Sequence, residues 1–196
     1  MGRTLEDRMH LLVKMNVLTA FGLVLAAVPL SAATVFSTTL SGVNETPPNA
    51  SAGTGSMLVT LLADTLTVDV NFSDLSVPAA AAHIHCCGPV GIAEPIAVPF
   101  GGFPAGTSGS FSASFDLTSA TSYSSAFLMA NGGTVAGAEA AFIAGLNTGN
   151  TYGNIHTSNF PGGEIRGQLA MIPEPASIFL AGGFLLFFAL FRRKIV

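Results

Sequence analysis

Basic side chains are almost missing from the middle of this sequence. No lysine lies between Lys14 and Lys194, and residues 34–172 hold one base, Arg166, against eight acidic residues, which gives this segment a formal net charge of −7. This negative charge would repel nucleic acids, phosphate-rich ligands and anionic lipid surfaces rather than attract them. The charge pattern therefore argues against a nucleic-acid partner, and it leaves metal cations and neutral, glycan-like partners.

The sequence also lacks an internal repeat, a long disordered linker and a convincing nucleophile–base pair. Serines such as Ser110 and Ser112 occupy alternating strand positions, where solvation explains them without catalysis. A length of 196 residues leaves room for one domain with targeting segments at its ends. These features favour a single non-enzymatic domain.

The first 33 residues have the layout of a secretion signal. Three basic residues precede an apolar run over residues 17–30, and the small residues 31–33 suit cleavage by a signal peptidase before Thr34. A buried core helix, the alternative, explains neither the basic flank nor the cleavage-like tripeptide. We therefore expect residues 1–33 to be a signal peptide that signal peptidase removes.

The C-terminal segment combines a short motif, an apolar run and a basic end. It comprises Pro173, Glu174 and Pro175, an uncharged run over residues 176–191, and a basic tail over 192–194 that begins with Arg192 and Arg193. A helix over the apolar run spans about 24 Å, a little less than the ~30 Å hydrocarbon core, and long basic side chains can reach the interface. We expect a C-terminal transmembrane helix with a cytoplasmic tail, which places the domain on the periplasmic side of the inner membrane.

This order of features resembles the PEP-CTERM sorting signal. The resemblance covers residues 173–196 and implies processing by an exosortase, an envelope protease of Gram-negative bacteria that make exopolysaccharide. Processing would release the protein from the membrane to the outer surface or the extracellular matrix. A plain C-terminal transmembrane anchor is the alternative, and the motif at the head of the helix argues against it.

Residues 34–172 show the alternation of half-buried strands. Strand patterns occupy residues 34–40, 57–62, 65–73 and 110–117. Helical spacing over residues 135–146 predicts one short helix. Many short strands between turn residues predict an all-β fold, either an immunoglobulin-like or Greek-key sandwich or a barrel.

Two further strand patterns, over residues 151–157 and 163–169, predict a hairpin with a defined register. Pairing Thr157 with Gly163 puts the apolar side chains of both strands on one face. The other face then carries six hydrogen-bonding side chains: Tyr152, Asn154, His156, Glu164, Arg166 and Gln168. The simpler expectation is that this face is exposed to solvent. The alternative is that it forms one wall of a site in which Asn154, Glu164 and Arg166 support His156.

Three histidines form a candidate metal-binding set. His83 and His85 project from one face of a strand, and Cys87 joins them if the strand persists. His156 comes from another strand. Three imidazoles and a thiolate suit one zinc or copper ion. A buried polar network that only stabilises the barrel is the alternative, and the sequence does not separate the two.

Cys86 and Cys87 are adjacent in a chain expected to reach an oxidising compartment. Across a trans peptide their Cα atoms would lie about 3.8 Å apart, below the usual range for a disulfide. This argues against a bond between them. Metal ligation, a redox-labile pair, or one buried and one exposed thiol all stay open.

These residues together resemble the CHRD domain, first named from chordin and found widely in exported bacterial proteins. The resemblance rests on LSGVNETPP at residues 40–48, AHIH at 82–85, YGNIHT at 152–157 and PGGEIRGQL at 161–169. It implies an immunoglobulin-like β-barrel over residues 34–172 and no established catalytic activity.

Two functional hypotheses follow from the sequence. The first is a non-enzymatic exported domain of the envelope, matrix or biofilm, with exopolysaccharide or envelope components as partners. The second is a mononuclear zinc or copper site with redox activity, by analogy with copper–zinc superoxide dismutase, another Greek-key β-barrel that presents a His-x-His pair from a strand.

Overall fold

The computed structural model describes residues 32–173. The strands of this range are β1 (Thr34–Ser41), β2 (Thr54–Leu62), β3 (Thr65–Ser73), β4 (Ala79–Cys86), β5 (Ile96–Pro99), β6 (Gly109–Asp116), β7 (Thr151–Thr157), β8 (Ile165–Gln168) and β9 (Ala170–Met171). Its helices are α1 (Ser125–Ala130) and α2 (Val135–Asn147), with 3-10 turns at Gly42–Asn44 and Ala120–Ser122.

Both predicted targeting segments lie almost entirely outside the described residues. Of the signal peptide only residues 32 and 33 are described, and of the sorting signal only Pro173. Within residues 32–173, no helix is long and apolar enough to cross a membrane. The signal peptide, the transmembrane helix over 176–191 and the motif residues Glu174, Pro175, Arg192 and Arg193 therefore stay predictions.

The strands form one antiparallel sheet that curves into a half-barrel. Its order is β5-β4-β7-β8-β1-β2-β3-β6, and β9 also pairs with β1. The consecutive strands β1, β2 and β3 make a meander, while β7 inserts between β4 and β8. The all-β prediction is confirmed, and this topology brings the histidine-bearing strands β4 and β7 side by side.

Aromatic side chains bridge the two edge strands, β5 and β6. Phe100, directly after β5, stacks on Phe111 of β6 with ring centroids 5.2 Å apart, and its ring lies 5.9 Å from that of Phe115. Phe103 adds a contact with Phe111 at 5.3 Å. Apolar packing rather than hydrogen bonding thus joins the two edges of the sheet.

The hydrophobic core lies on one face of the sheet and under α2. Alternate strand residues such as Val68, Ile84 and Ile155 are fully buried, as the period of two requires. Helix α2 adds Phe142 and Leu146 to this core. The side chain of Thr134 accepts a hydrogen bond from Gly137 N and caps the helix.

The structure contains one more helix and more strands than the sequence predicted. The predicted helix is confirmed as α2, and the four predicted strands are confirmed as β1, β2, β3 and β6, with small shifts of their ends. Helix α1, with six residues, and β5, with four, are too short for hydrophobic periodicity to reveal them.

Candidate functional site

The polar side chains of β4, β7 and β8 share one face of the sheet, as the predicted register requires. Asn154 pairs with Arg166 in the β7–β8 ladder and with His83 in the β4–β7 ladder. His85 pairs with Tyr152 one row further along. The register prediction is confirmed, and it sets histidines of two strands beside one another.

This polar face is buried, not solvated. Tyr152, Asn154 and Arg166 expose only 2–3% of their surface. Two segments supply groups that hydrogen-bond to this face: the β1–β2 loop (residues 42–53) and the β4–β5 loop (residues 87–95). The default expectation of a solvated face is wrong because sequence alternation reports which side chains share a face and not what lies over it.

Side-chain hydrogen bonds attach the β4–β5 loop to the polar face. His85 Nδ1 lies 2.7 Å from Glu94 O, and Glu94 N donates to Tyr152 Oη at 3.0 Å. Arg166 Nη2 donates to Ile92 O at 2.7 Å. The loop is thereby fixed over the site by side chains of β4, β7 and β8.

His83, His85 and His156 form a cluster. One ring nitrogen of each histidine lies within 4.8 Å of the other two. The ring centroids are 5.1 Å apart for His83 and His156 and 5.7 Å apart for His83 and His85. The three histidines that the sequence singled out are therefore brought together by the fold.

Hydrogen bonds fix the tautomers of two of these rings. A backbone carbonyl only accepts, so His85 Nδ1 donates to Glu94 O, and His156 Nδ1 donates to Pro161 O at 2.9 Å. In the neutral rings the Nε2 atoms then carry the lone pair. Both Nε2 atoms, and Nδ1 of His83, are buried without a hydrogen-bond partner among the described residues. Each histidine therefore has one buried ring nitrogen that is free to bind a ligand, and in His85 and His156 this nitrogen carries the lone pair.

Burial keeps the cluster uncharged. Desolvation, together with the neighbouring His156 and His85, lowers the pKa of His83 to about 4. Desolvation likewise lowers the pKa of His85 to about 4, against the hydrogen bond to Glu94. The pKa of His156 is also lowered by desolvation, opposed by its bond to Pro161. Neutral imidazole is the form that binds metal ions.

Cys87 does not join the cluster. It is bonded to Cys86 in a disulfide, and its Sγ lies 3.4 Å from Ala141 O of α2. The expectation of a thiolate ligand is therefore wrong, as is the argument against the disulfide. That argument assumed a trans peptide between the cysteines, and the structure has a cis peptide there.

Glu164 also lies away from the histidines. Its carboxylate accepts hydrogen bonds from Ser51 Oγ at 2.6 Å and Thr157 Oγ1 at 2.5 Å, and from the backbone and hydroxyl of Ser76. Thr157 belongs to the core-facing set of β7, so Glu164 sits on the opposite side from His156. The predicted supporting role of Glu164 at the histidines is wrong because its side chain turns away just before β8 begins.

Glu45 is the carboxyl group that sequence reasoning missed. Asn154 Nδ2 donates to its Oε1 at 2.7 Å, and the carboxyl packs against Gly163. Desolvation raises the pKa of Glu45 to about 7, although the nearby Arg166 lowers it. Its position within NETPP, one of the motifs that resembled the CHRD domain, was the available signal.

Arg166 lies between the histidine cluster and the β1–β2 loop. Its guanidinium carbon is 3.4 Å from the centroid of Tyr152, and the same ring stacks on His85 at 4.6 Å. Asn154 thus contacts Glu45 and Arg166 contacts Tyr152, while their predicted role in supporting the histidines stays a prediction.

A family model for the CHRD domain matches residues 36–169, about two thirds of the chain. The chain belongs to the CHRD family. All three clustered histidines, Glu45 and Arg166 fall within the matched range of this CHRD domain. No curated protein and no solved structure matched the chain. Membership supports an extracellular or secreted domain protein, and the match ends before the predicted sorting signal.

Proposed function

We propose that this protein is an exported CHRD-domain protein that holds one zinc or copper ion at His83, His85 and His156. Two observations carry the proposal: a ring nitrogen of each histidine lies within 4.8 Å of the other two, and each histidine has one buried ring nitrogen without a hydrogen-bond partner among the described residues. A purely structural polar network would be expected to pair such atoms, because an unpaired buried acceptor is costly.

The surroundings of the cluster fit a metal centre. Metal-ligating histidines usually donate their second ring nitrogen to a carbonyl or carboxylate, as His85 and His156 do here. A tetrahedral zinc ion with bonds of about 2.0–2.1 Å separates its ligand nitrogens by about 3.4 Å, so the rings would close in by small rotations on binding.

The donor set narrows the choice of metal. Three neutral imidazoles suit zinc or copper rather than magnesium or calcium, which prefer oxygen ligands. The disulfide removes the only thiols of the chain from the donor set. Three protein ligands leave a fourth position open on the ion. A mononuclear centre is what this cluster supports.

Metal content tests the proposal directly. The full chain, purified in detergent without a histidine tag and stripped with a chelator, is expected to take up one equivalent of zinc or copper by elemental analysis. His83→Gln and His156→Gln should each lower the affinity at least about tenfold. An ion at 100 times its dissociation constant should stabilise the protein by about 2.7 kcal/mol.

Glu94→Gln is the matched control. It removes a carboxylate beside the site while keeping the backbone groups that contact His85 and Tyr152. This variant should bind metal as the wild type does. No stoichiometric metal in the wild type, together with histidine variants that lose only thermal stability, would show that the cluster is a structural network.

We further propose that the domain acts outside the cytoplasm as a non-enzymatic envelope or matrix component. The predicted signal peptide, the acidic surface and CHRD membership support this location. Signal peptidase and an exosortase would process the chain, its C-terminal helix would hold it in the inner membrane beforehand, and exopolysaccharide or envelope components would be its partners.

A further inference from the structure

A cavity of about 440 Å³ opens beside Arg166, apart from the histidine cluster. It lies between the β1–β2 loop, the β4–β5 loop and strands β1 and β8. Its lining includes Glu45, Arg166 and Gln168, with Val43 and Val90 among the loop residues. No histidine of the cluster lines it, so whatever occupies it does not depend on the metal.

Arg166 brings an unpaired charge to this cavity. Its side chain is 3% exposed, and it is the one base of residues 34–172. Within residues 32–173 the guanidinium hydrogen-bonds to Ile92 O and, at 3.4 Å, to Thr46 Oγ1, and it forms no ion pair with a carboxylate. A buried charge that no carboxylate contacts directly is expensive, and a guanidinium presents a planar fork that matches a carboxylate.

Gln168 supplies a second unsatisfied group. Its Nε2 donates to Gly149 O at 2.6 Å, which leaves Oε1 as an acceptor. That Oε1 is buried and has no partner among the described residues. Gln168 lines the cavity, so a ligand hydroxyl would satisfy this oxygen once the amide turns toward the cavity, just as an anion would satisfy Arg166.

The remaining lining restricts the size and charge of the ligand. Val43 and Val90 are 72% and 74% exposed and offer an apolar contact for the carbon skeleton of a ligand. One guanidinium faces one carboxyl, Glu45, within an acidic domain. Desolvation raises the pKa of Glu45 to about 7, so near neutral pH this carboxyl is partly protonated and Arg166 can balance a monoanion, whereas a dianion such as phosphate would meet net repulsion.

We propose that this cavity binds a monoanionic hydroxy-carboxylate of the sugar-acid class, with the carboxylate on Arg166 and a hydroxyl on Gln168. Such a group is either a free sugar acid or the terminal residue of an acidic glycan. The inference does not rest on the proposed metal site, since the two sites share no lining residue.

Calorimetry on the metal-free full chain in detergent tests the proposal, with D-glucuronate as the probe. Glucuronate should bind saturably, and D-glucose, which lacks the carboxylate, should bind at least about tenfold more weakly. Inorganic phosphate and sulfate should also bind more weakly than glucuronate. A disaccharide that ends in glucuronate separates the two sources: equal or tighter binding indicates a glycan terminus, and weaker binding indicates the free acid.

Variants at the cavity provide the matched comparison. Val90→Asp adds a negative charge at an exposed position of the lining and should weaken glucuronate binding at least about fivefold. Met129→Asp, on α1 and 78% exposed, adds the same charge elsewhere and should bind glucuronate as the wild type does. Arg166→Lys should also weaken binding, because it keeps the charge and loses the fork.

Several results would overturn the proposal. The first is that glucuronate does not bind. The second is that glucose, phosphate or sulfate binds as tightly as glucuronate. The third is that Val90→Asp binds glucuronate as the wild type does. His83→Gln should leave glucuronate binding intact. Loss of metal uptake with retained glucuronate binding, or the reverse, therefore tells the two sites apart.

Discussion

At the scale of single residues, Glu45 is the group whose protonation the fold changes in the physiological range. It is 6% exposed, and its carboxyl contacts Asn154 and Gly163. Desolvation raises its pKa from 4.5 to about 7, and Arg166 only partly opposes this rise. Near neutral pH the carboxyl therefore exists in both forms.

This shift predicts a pH dependence of stability. Between pH 4.5 and 7 the folded state holds a proton on Glu45 that the unfolded state has lost, so the contribution of Glu45 to stability falls as the pH rises through this window. Glu45→Gln should remove that slope. Thermal unfolding of both proteins from pH 4.5 to 8 is expected to show the variant gaining stability relative to the wild type. A constant difference in melting temperature across this range would contradict the pKa shift.

The close packing of Gly163 against Glu45 and Asn154 gives a second prediction at this scale. Its φ is +131°, and an added Cβ would collide with the Glu45 carboxyl and with Asn154 Nδ2. Gly163→Ala should therefore destabilise the domain by more than about 1 kcal/mol. Gly162→Ala is the control, because a Cβ there meets nothing within 4 Å. Similar denaturant midpoints for the two variants would show that the close approach at Gly163 is unimportant.

At the scale of elements, Glu164 joins three segments of the chain. Its buried carboxylate accepts hydrogen bonds from Ser51 before β2, from Ser76 between β3 and β4, and from Thr157 at the end of β7. Burial alone would raise the pKa of Glu164, but these hydrogen bonds outweigh it and hold the pKa below its ordinary value. The carboxylate stays charged and satisfied inside the domain.

Removing this charge should loosen all three segments. Glu164→Gln keeps the size of the side chain and replaces one accepting oxygen by a donor, so we expect a loss of about 3 kcal/mol, since charge-assisted hydrogen bonds are the strong ones. Glu139→Gln, on a partly exposed position of α2, should change stability by less than about 0.5 kcal/mol. Chemical denaturation measures the free energy of unfolding of both variants. Equal losses would show that the hydrogen bonds of Glu164 do not hold the three segments together.

The elements themselves were largely predictable from the sequence. Alternation located β1, β2, β3 and β6, because each has one face in the core and one outside it. The β7–β8 register followed from the same rule, since one residue of slippage would mix the apolar and polar sets. Short elements such as α1 carry too few residues for any period to be visible.

The candidate site was predictable only in part. The histidine cluster followed from a His-x-His spacing on one strand and a histidine on another. Glu45 lies 109 residues before its partner Asn154, and no local pattern connects the two. The disulfide and the position of Glu164 depend on backbone geometry that composition does not report.

At the scale of the whole molecule, the chain combines a described CHRD domain with two predicted targeting segments. The domain match covers residues 36–169, and the predicted signals flank it. Export would place the disulfide and the acidic surface in an oxidising compartment. The two predicted segments would therefore decide where the domain works.

Processing at the C-terminus gives the prediction at this scale. In a host that encodes an exosortase, the wild-type protein should lose its basic tail and leave the inner membrane. Replacing Pro173, Glu174 and Pro175 together by alanine should keep the intact tail and the membrane location, as should deletion of the exosortase gene. Intact mass and cell fractionation measure both properties. A full-length tail on the wild-type protein in that host would contradict exosortase processing.

The two faces of β4 are under different selective pressures. Ala82 and Ile84 serve the core, whereas His83 and His85 face the loops, so a substitution on one face leaves the packing of the other unchanged. Substitutions at the histidine positions therefore disturb the buried polar face and the loops over it rather than the apolar core. The same backbone could evolve, or be engineered, to carry a different set of ligands while it keeps its fold.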